Sequence, residues 1–164
     1  MKVIIKSQLL TKKRFAPFGQ VVELPEKPAD SHKNQRWANV SFPDFQGARP
    51  VLDVLYSAPR PLKVERLERH RNSTQTFLPL KKTPFIILVG VKNLRPKNDE
   101  VDYKKLQAFI SNGEQGITLE AVVWHCSPIP LKHPQVFVLL HRSPDIDLDN
   151  QTTGFKKGII LELK

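Results

Sequence analysis

Cysteine is nearly absent from this sequence. Among 164 residues only Cys126 carries a thiol. A lone cysteine has no partner within the chain, which excludes a disulfide-stapled domain and indicates a reducing compartment. We expect Cys126 to be a small buried residue and not a nucleophile, because the sequence around it offers only its neighbour His125 to activate a thiol.

Long hydrophobic runs are also absent. The longest apolar stretch, residues 85–91, is far shorter than the roughly 20 residues that a membrane-spanning helix needs. Lys6 interrupts the apolar N-terminal residues, which does not fit a secretory signal. We therefore expect a cytoplasmic protein with no membrane partner. The length suits one well-buried core, so a single domain over residues 1–164 is predicted.

Acidic residues are outnumbered by basic ones, 16 against 26, which leaves a net charge of +10. Such an excess could bind nucleic acid through phosphate contacts. However, the basic pairs are scattered along the chain, and they neither alternate with aromatic residues nor accompany zinc-finger spacing. We expect a lysine-rich surface with a preference for a small anionic substrate, and no nucleic-acid partner.

Proline is plentiful, and it determines the predicted fold class. Fourteen prolines and seven glycines cut the apolar stretches into short segments, which favours strands over long helices. One short helix is predicted over residues 11–15, with Thr11 as its N-cap. Many short strands are typical of an all-β sandwich, jelly roll or barrel. Strands are predicted over residues 3–5, 20–23, 51–57, 62–70, 74–79, 85–91, 105–110, 117–119, 136–140 and 158–163.

Three stretches are predicted to be loops. Residues 25–50 form a long polar segment, which is usually either functional or poorly ordered. Residues 94–102 form a charged connection. Residues 145–153 contain alternating aspartates but lack the glycine and glutamate of a calcium-binding loop, so a solvated turn is expected there.

A polar group of residues near the middle of the chain suggests a functional site. Glu68 and His70 share one face of a strand, and Gln75 shares a face of the next strand with Phe77. If these faces are interior, the three polar groups converge, at a cost of several kcal/mol unless they are paired or bind a ligand. Periodicity alone slightly favours the alternative, a half-exposed hairpin with the same side chains in water.

A second group lies later in the chain, where an Asn112-Gly113 turn precedes Trp124 and His125. Two histidines with a carboxylate and an amide have two uses. They can bind a metal and leave open positions for a substrate. They can also perform metal-free acid–base catalysis, with the carboxylate fixing a histidine tautomer. The amide of Gln75 is a poor ligand for transition metals. His141, at the end of an apolar strand, is expected to face solvent.

Two stretches, "LERHRNSTQTFLP" (residues 67–79) and "LQAFISNGEQGITLEAVVWH" (106–125), resemble the ureidoglycolate lyase family, and "RFAPFGQVVE" (14–23) is similar to its N-terminal segment. The resemblance implies a cupin-like double-stranded β-barrel, a homodimer, and the conversion of ureidoglycolate to glyoxylate and urea in allantoin and purine breakdown. It also implies that Glu68, His70, Gln75 and His125 point into the barrel.

The same resemblance implies roles for individual residues. The implied acid–base residues are His70, His125 and Glu68. The implied substrate-binding residues are Gln75 for the ureido group and Arg36 for the carboxylate. Trp124 is expected first as a packing anchor, and its position immediately before His125 also allows it to form a pocket wall that binds substrate. A divalent metal, if one is used, would be held by Glu68, His70, Gln75 and His125.

The chain departs from the family pattern at Ser57, Leu119 and Cys126, which is expected to affect affinity or activity. Two other functions therefore stay open. One is a non-catalytic cupin-like protein that binds a small molecule or has a regulatory role. The other is a metal-dependent cupin enzyme that acts on another small carboxylate.

Overall fold

A computed structural model describes residues 3–26, 30–32, 35–91, 101–142 and 149–164, apart from the side chains of residues 30–32, 36, 156 and 157. Its elements in chain order are β1 Val3–Leu9, α1 Lys12–Phe15, β2 Gly19–Val22, β3 Asp30–His32, β4 Gln35–Trp37, β5 Pro50–Ser57, β6 Lys63–His70, β7 Gln75–Pro79, β8 Phe85–Gly90, the 3-10 helix η1 Tyr103–Lys105, β9 Leu106–Ile110, β10 Gly116–Leu119, β11 Trp124–His125, β12 Ile129–Pro130, β13 Gln135–Arg142 and β14 Asn150–Glu162.

The predicted all-β class with little helix is confirmed. The single α-helix among the described residues is one turn long, and the Thr11 hydroxyl caps it by accepting a hydrogen bond from the backbone N–H of Arg14 at 3.3 Å. The helix ends by burying Phe15, which packs edge-on against Phe109 with ring centroids 5.3 Å apart. The helix thus seals one end of the core.

Two sheets form a cupin-like barrel. The first has the strand order β11-β6-β14-β1-β9-β8-β12, and the pairing of β11 with both β6 and β8 closes it into a ring. The second has the order β2-β10-β7-β13-β5, with all its pairs antiparallel. Phe137 of the second sheet meets Phe85 of the first edge-on, with centroids 5.3 Å apart, so the inner faces share one core.

The connection from β6 to β7 differs from a hairpin. β6 belongs to the first sheet and β7 to the second, and the two strands are not paired with each other. Residues 71–74 therefore carry the chain from one sheet to the other. This turn of the chain brings Gln75 opposite the end of β6 inside the barrel.

Two predicted loops contain strands. Residues 25–50 include the short hairpin of β3 and β4. The expectation of a solvated turn over residues 145–153 is wrong at its C-terminal end, because Asn150 to Thr153 pair with β6 as the start of β14. Threonines and amides can serve as strand residues when a partner strand satisfies their backbone groups. Residues 145–148 of that prediction, and 94–100 of the charged connection, lie outside the described residues.

None of the helices in the described part of the chain has the length and apolar character needed to cross a membrane.

Candidate active site

Two neighbouring strands of the first sheet position the site. Glu68 and His70 lie on β6, and His125 of β11 is directly opposite Glu68 in the sheet register. The two imidazole rings lie 5.6 Å apart between centroids. His125 is 1% exposed and His70 8%, so both histidines belong to the protein interior.

His125 has hydrogen-bonding contacts through both ring nitrogens. Its Nδ1 lies 3.0 Å from the backbone oxygen of Val123, and its Nε2 lies 2.9 Å from Oε1 of Gln75 and 3.6 Å from Oε1 of Glu68. The oxygens of Val123 and Gln75 are acceptors, so the ring of His125 faces acceptors on both sides. Its Nε2 also lies near the carboxylate of Glu68, which places this nitrogen among oxygen atoms inside the site.

Gln75 comes from the other sheet. It begins β7, it is 7% exposed, and Leu119 of β10 lies opposite it in the register. The family departure at Leu119 is therefore adjacent to the site, where its buried apolar side chain offers no hydrogen bond. The second departure, Ser57, donates a hydrogen bond to the Pro128 carbonyl at 3.1 Å.

His70 has different partners. Its Nδ1 lies 3.6 Å from Oδ2 of Asp149, whereas its buried Nε2 has no hydrogen-bond partner among the described residues. Asp149 is itself held in place, because Ser73 Oγ donates to its Oδ2 and the Asn72 backbone N–H donates to its Oδ1, both at 2.5 Å. A carboxylate beside Nδ1 favours the tautomer with its proton there, which leaves a lone pair on Nε2.

The two titratable neighbours of His125, which are His70 and Glu68, have shifted pKa values. Burial is the main cause that lowers the pKa of His70, and the nearby charge of His125 lowers it further. The pKa of Glu68 is lowered chiefly by its interaction with His125, which outweighs the opposite effect of partial burial. At neutral pH the site thus contains a neutral His70 and an ionised Glu68.

Three of the four predicted metal ligands fit a divalent cation. Ligand atoms of Glu68, His70 and His125 lie within 4.8 Å of one another. Two imidazoles and one carboxylate form a common ligand set for transition metals, and His70 Nε2 is buried without a partner. The fourth predicted ligand, Gln75, instead directs its amide oxygen to Nε2 of His125.

One other predicted site residue, Trp124, does not join this group. Trp124 lies next to His125 on β11, and neighbouring strand residues face opposite sides. The Arg69 guanidinium covers the Trp124 ring at 4.5 Å from its centroid, so this buried indole packs on the other face of the sheet. Arg36 lies on β4, but its side chain is outside the described residues.

Two buried residues near the site, Asp149 and His141, were not predicted from the sequence. Asp149 belongs to the acidic run interpreted as a solvated turn, yet it is 3% exposed. The prediction that His141 faces solvent is wrong as well: it is 6% exposed, and its Nε2 lies 2.8 Å from Oδ2 of Asp53. A strand that continues to Arg142 and pairs with β5 to its end encloses His141. Neither residue has a local sequence signal.

A cleft of about 220 Å³ reaches Glu68 and His125 from the surface. Among the described residues, β11 pairs with β6 only at these two positions, so the strands separate beside them and leave the cleft open. Its walls include three cationic residues, Arg60, Lys63 and Arg66. The cleft gives a small molecule a route to the buried site.

Cys126 is buried, as expected from the sequence. The thiol is 5% exposed, its Sγ accepts a hydrogen bond from the Leu88 backbone N–H at 3.4 Å, and burial raises its pKa to about 11. A thiol in this state is a poor nucleophile.

The fold and the pocket define a class: a cupin-like β-barrel protein whose interior joins two histidines, a carboxylate and an amide. Comparison with known proteins identifies the family. Residues 2–162 match the family model described as ureidoglycolate lyase, and the chain belongs to this family.

Relatives with this name occur in several bacteria. The chain is 33% identical over 143 residues to a ureidoglycolate lyase of Burkholderia mallei (strain NCTC 10229), over 83% of this chain and 81% of that protein. It is 33% identical over 151 residues to one of Pseudomonas syringae pv. syringae, covering 87% and 84%. A third, from Agrobacterium fabrum, is 31% identical over 140 residues and 81% of both chains.

Proposed function

We propose that this protein is a ureidoglycolate lyase, which eliminates urea from ureidoglycolate to give glyoxylate. The observation that carries the proposal is the pair of histidines with different hydrogen-bonding surroundings, 5.6 Å apart, of which His125 lines an open cleft. Nε2 of His70 has no hydrogen-bond partner in the described part of the chain, and His125 is surrounded by acceptors. Membership of the family supports the same substrate.

The chemistry requires two proton movements. The carbinol hydroxyl of ureidoglycolate loses its proton while its carbon–oxygen bond becomes the aldehyde of glyoxylate. The bond from that carbon to the ureido nitrogen breaks, and the nitrogen takes a proton to leave as neutral urea. The reaction therefore needs a base on one side of the carbon and an acid on the other.

His70 and His125 fit these two roles. His70 is the base: Asp149 orients its Nδ1, and burial keeps the ring neutral with Nε2 ready to accept the hydroxyl proton. His125 is the acid that protonates the departing nitrogen through Nε2, which lies 3.6 Å from Oε1 of the ionised Glu68. Gln75 fixes His125 through Oε1 and can donate from its amide nitrogen to the ureido carbonyl. Proton exchange with solvent restores both histidines.

The test measures urea and glyoxylate release from ureidoglycolate by the wild-type protein and by His70→Gln and His125→Gln. We expect each substitution to reduce kcat by about 10²–10⁴-fold, the usual contribution of a general acid or base. His133→Gln is the matched control, since His133 is exposed outside the site. If the wild-type protein released no urea, a non-catalytic binding protein would be the better interpretation.

A metal-dependent reaction is the second candidate, favoured by the close approach of Glu68, His70 and His125. A divalent cation held by these residues would polarise a substrate oxygen and stabilise the developing negative charge. Metal analysis of the purified protein and assays after dialysis against a chelator distinguish the two candidates. Full activity in metal-free protein supports the histidine mechanism, whereas a loss restored by one added metal supports the second candidate.

We further propose that the protein acts in the cytoplasm, in allantoin and purine breakdown, and that it forms a homodimer. Family membership supports the pathway. The dimer is supported by an exposed apolar surface on β5, which includes Leu52, Val54 and Tyr56.

A further inference from the structure

The cleft that leads to Glu68 and His125 is positively charged at its outer part. Arg60, Lys63 and Arg66 line it, together with the carboxylates Glu65 and Glu68. Lys63 and Glu65 pair with each other, because their side chains form a salt bridge. Glu68 interacts with His125 at the inner end. Neither guanidinium group forms a salt bridge with a carboxylate among the described residues.

Both arginines are placed to act on a ligand in the cleft. Arg60 precedes β6 and donates through Nη2 to the Ser127 backbone oxygen at 3.4 Å, which ties it to the chain segment after β11. Arg66 lies two residues before Glu68 on β6, so both side chains leave the same face of the strand. In the sheet register Arg66 is opposite Gly154, which has no side chain to cover it.

The electrostatics agree with this placement. The charge of Arg66 contributes to lowering the pKa of Glu68. The charge of Arg60 likewise acts to lower the pKa of Cys126, against the larger effect of burial, which raises it. Each guanidinium thus interacts with a group at the inner end of the cleft. Guanidinium groups bind carboxylates through paired N–H donors, which fixes both position and orientation.

We propose that Arg60 and Arg66 form the binding site for the substrate carboxylate, at the mouth of the cleft above Glu68 and His125. The inference rests on the proposed lyase function for the identity of the acid. The cleft of about 220 Å³ is smaller than the roughly 300–1,000 Å³ of pockets for drug-sized ligands, which suits a small acid. The carboxylate then lies outermost, and the carbinol carbon and ureido group enter toward the histidines and Gln75.

This arrangement assigns specificity to residues that lie outside the two recognised sequence motifs. The orientation predicts that a neutral amide of the substrate binds weakly, since it cannot engage two cations. It also predicts that the arginines affect binding more than the chemical step, because they contact a group that keeps its charge throughout the reaction.

The experiment uses Arg60→Gln and Arg66→Gln in the full-length protein, with the exposed Arg49→Gln as the matched control for the loss of one charge. In the urea-release assay we expect KM to rise about 10- to 100-fold in each cleft variant, the usual contribution of a charged hydrogen bond. We expect kcat to change less than about threefold. Arg49→Gln should match the wild type. Thermal unfolding midpoints check that all variants are folded.

Direct binding separates this inference from the proposed reaction. Glycolate and its uncharged analogue glycolamide are titrated into each protein, and binding is followed by NMR. We expect glycolate to bind the wild-type protein more tightly than glycolamide, and the preference to disappear in both cleft variants. If glycolate binds in this way but no urea is released, the lyase function fails and the carboxylate site stands. Unchanged glycolate binding and KM in both variants would overturn the carboxylate site.

Discussion

His70 and His125 are chemically identical side chains with opposite surroundings. His70 has a carboxylate beside Nδ1 and, within the described ranges, no hydrogen-bond partner at Nε2, whereas His125 faces oxygen acceptors at both nitrogens. Such environments separate a base from an acid without any difference in residue type. At the residue scale, function depends on the residues that contact the two imidazole rings as much as on the histidines themselves.

Asp149 is the first residue whose contribution can be measured. Asp149→Asn keeps the side-chain shape but removes the negative charge beside His70 Nδ1, so His70 should lose its preferred tautomer. We expect kcat for urea release to fall about 100-fold, near the lower limit for loss of an acid or base, with little change in KM.

Ser73→Ala is the control for Asp149→Asn, because it removes the hydrogen bond from Ser73 to Asp149 and retains the carboxylate. We expect its kcat to stay within about threefold of the wild type. Equal losses in the two variants would mean that Asp149 only supports the local fold.

Cys126 gives a prediction about reactivity. Because the thiol is buried and its pKa is raised to about 11, we expect no labelling of the native protein by a thiol reagent at neutral pH. The same reagent should label one thiol per chain after denaturation. Rapid labelling of the native protein would show that Cys126 is accessible.

At the scale of elements, close strand pairing depends on Gly19 at the start of β2. Its φ is +151°, and a Cβ atom added there would lie 1.9 Å from the backbone oxygen of Thr118 on β10. Since both atoms belong to backbone held in the sheet, Gly19→Ala must push the strands apart. We expect a loss of more than about 2 kcal/mol in the free energy of unfolding, measured by chemical denaturation.

Gly47→Ala is the matched control for Gly19→Ala. Gly47 also has a positive φ, +74°, but an added Cβ would meet nothing within 4 Å. We expect a cost of about 1 kcal/mol from the backbone alone. If both substitutions cost the same, strand separation is not the cause of the effect at Gly19.

At the scale of the whole molecule, the exposed face of β5 is the expected dimer surface. Leu52, Val54 and Tyr56 alternate along the strand and are 64–68% exposed. β13 beside it contributes half-buried Val136 and Val138 to the same face. An apolar face of this kind can pack against its own copy across a two-fold axis.

Val54→Lys places a charge in the middle of this face. We expect the wild-type protein to have the mass of a dimer in light scattering, and Val54→Lys that of a folded monomer. Lys104→Glu, an exposed charge change away from β5, should leave the dimer intact. A monomeric wild-type protein, or a dimeric Val54→Lys, would contradict this assignment.

The sequence alone determined the division of the chain into short strands, and which side chains of one strand share a face. Prolines and glycines interrupt the apolar stretches, so short strands are the structures that remain, and strand periodicity puts Glu68 and His70 on one face. The motifs around residues 67–79 and 106–125 indicated the family. These properties are local, because they depend on backbone geometry within a few residues.

The tertiary structure decided which face is interior and which residues meet there. Gln75 reaches His125 because β6 and β7 lie in different sheets, and Asp149 reaches His70 through pairing of β14 with β6. Arg60 and Arg66 line the same cleft as Glu68 and His125, the one residue pair at which β6 and β11 meet. Sheet order and register set such contacts between residues distant in sequence, and alternation along one strand carries no information about either.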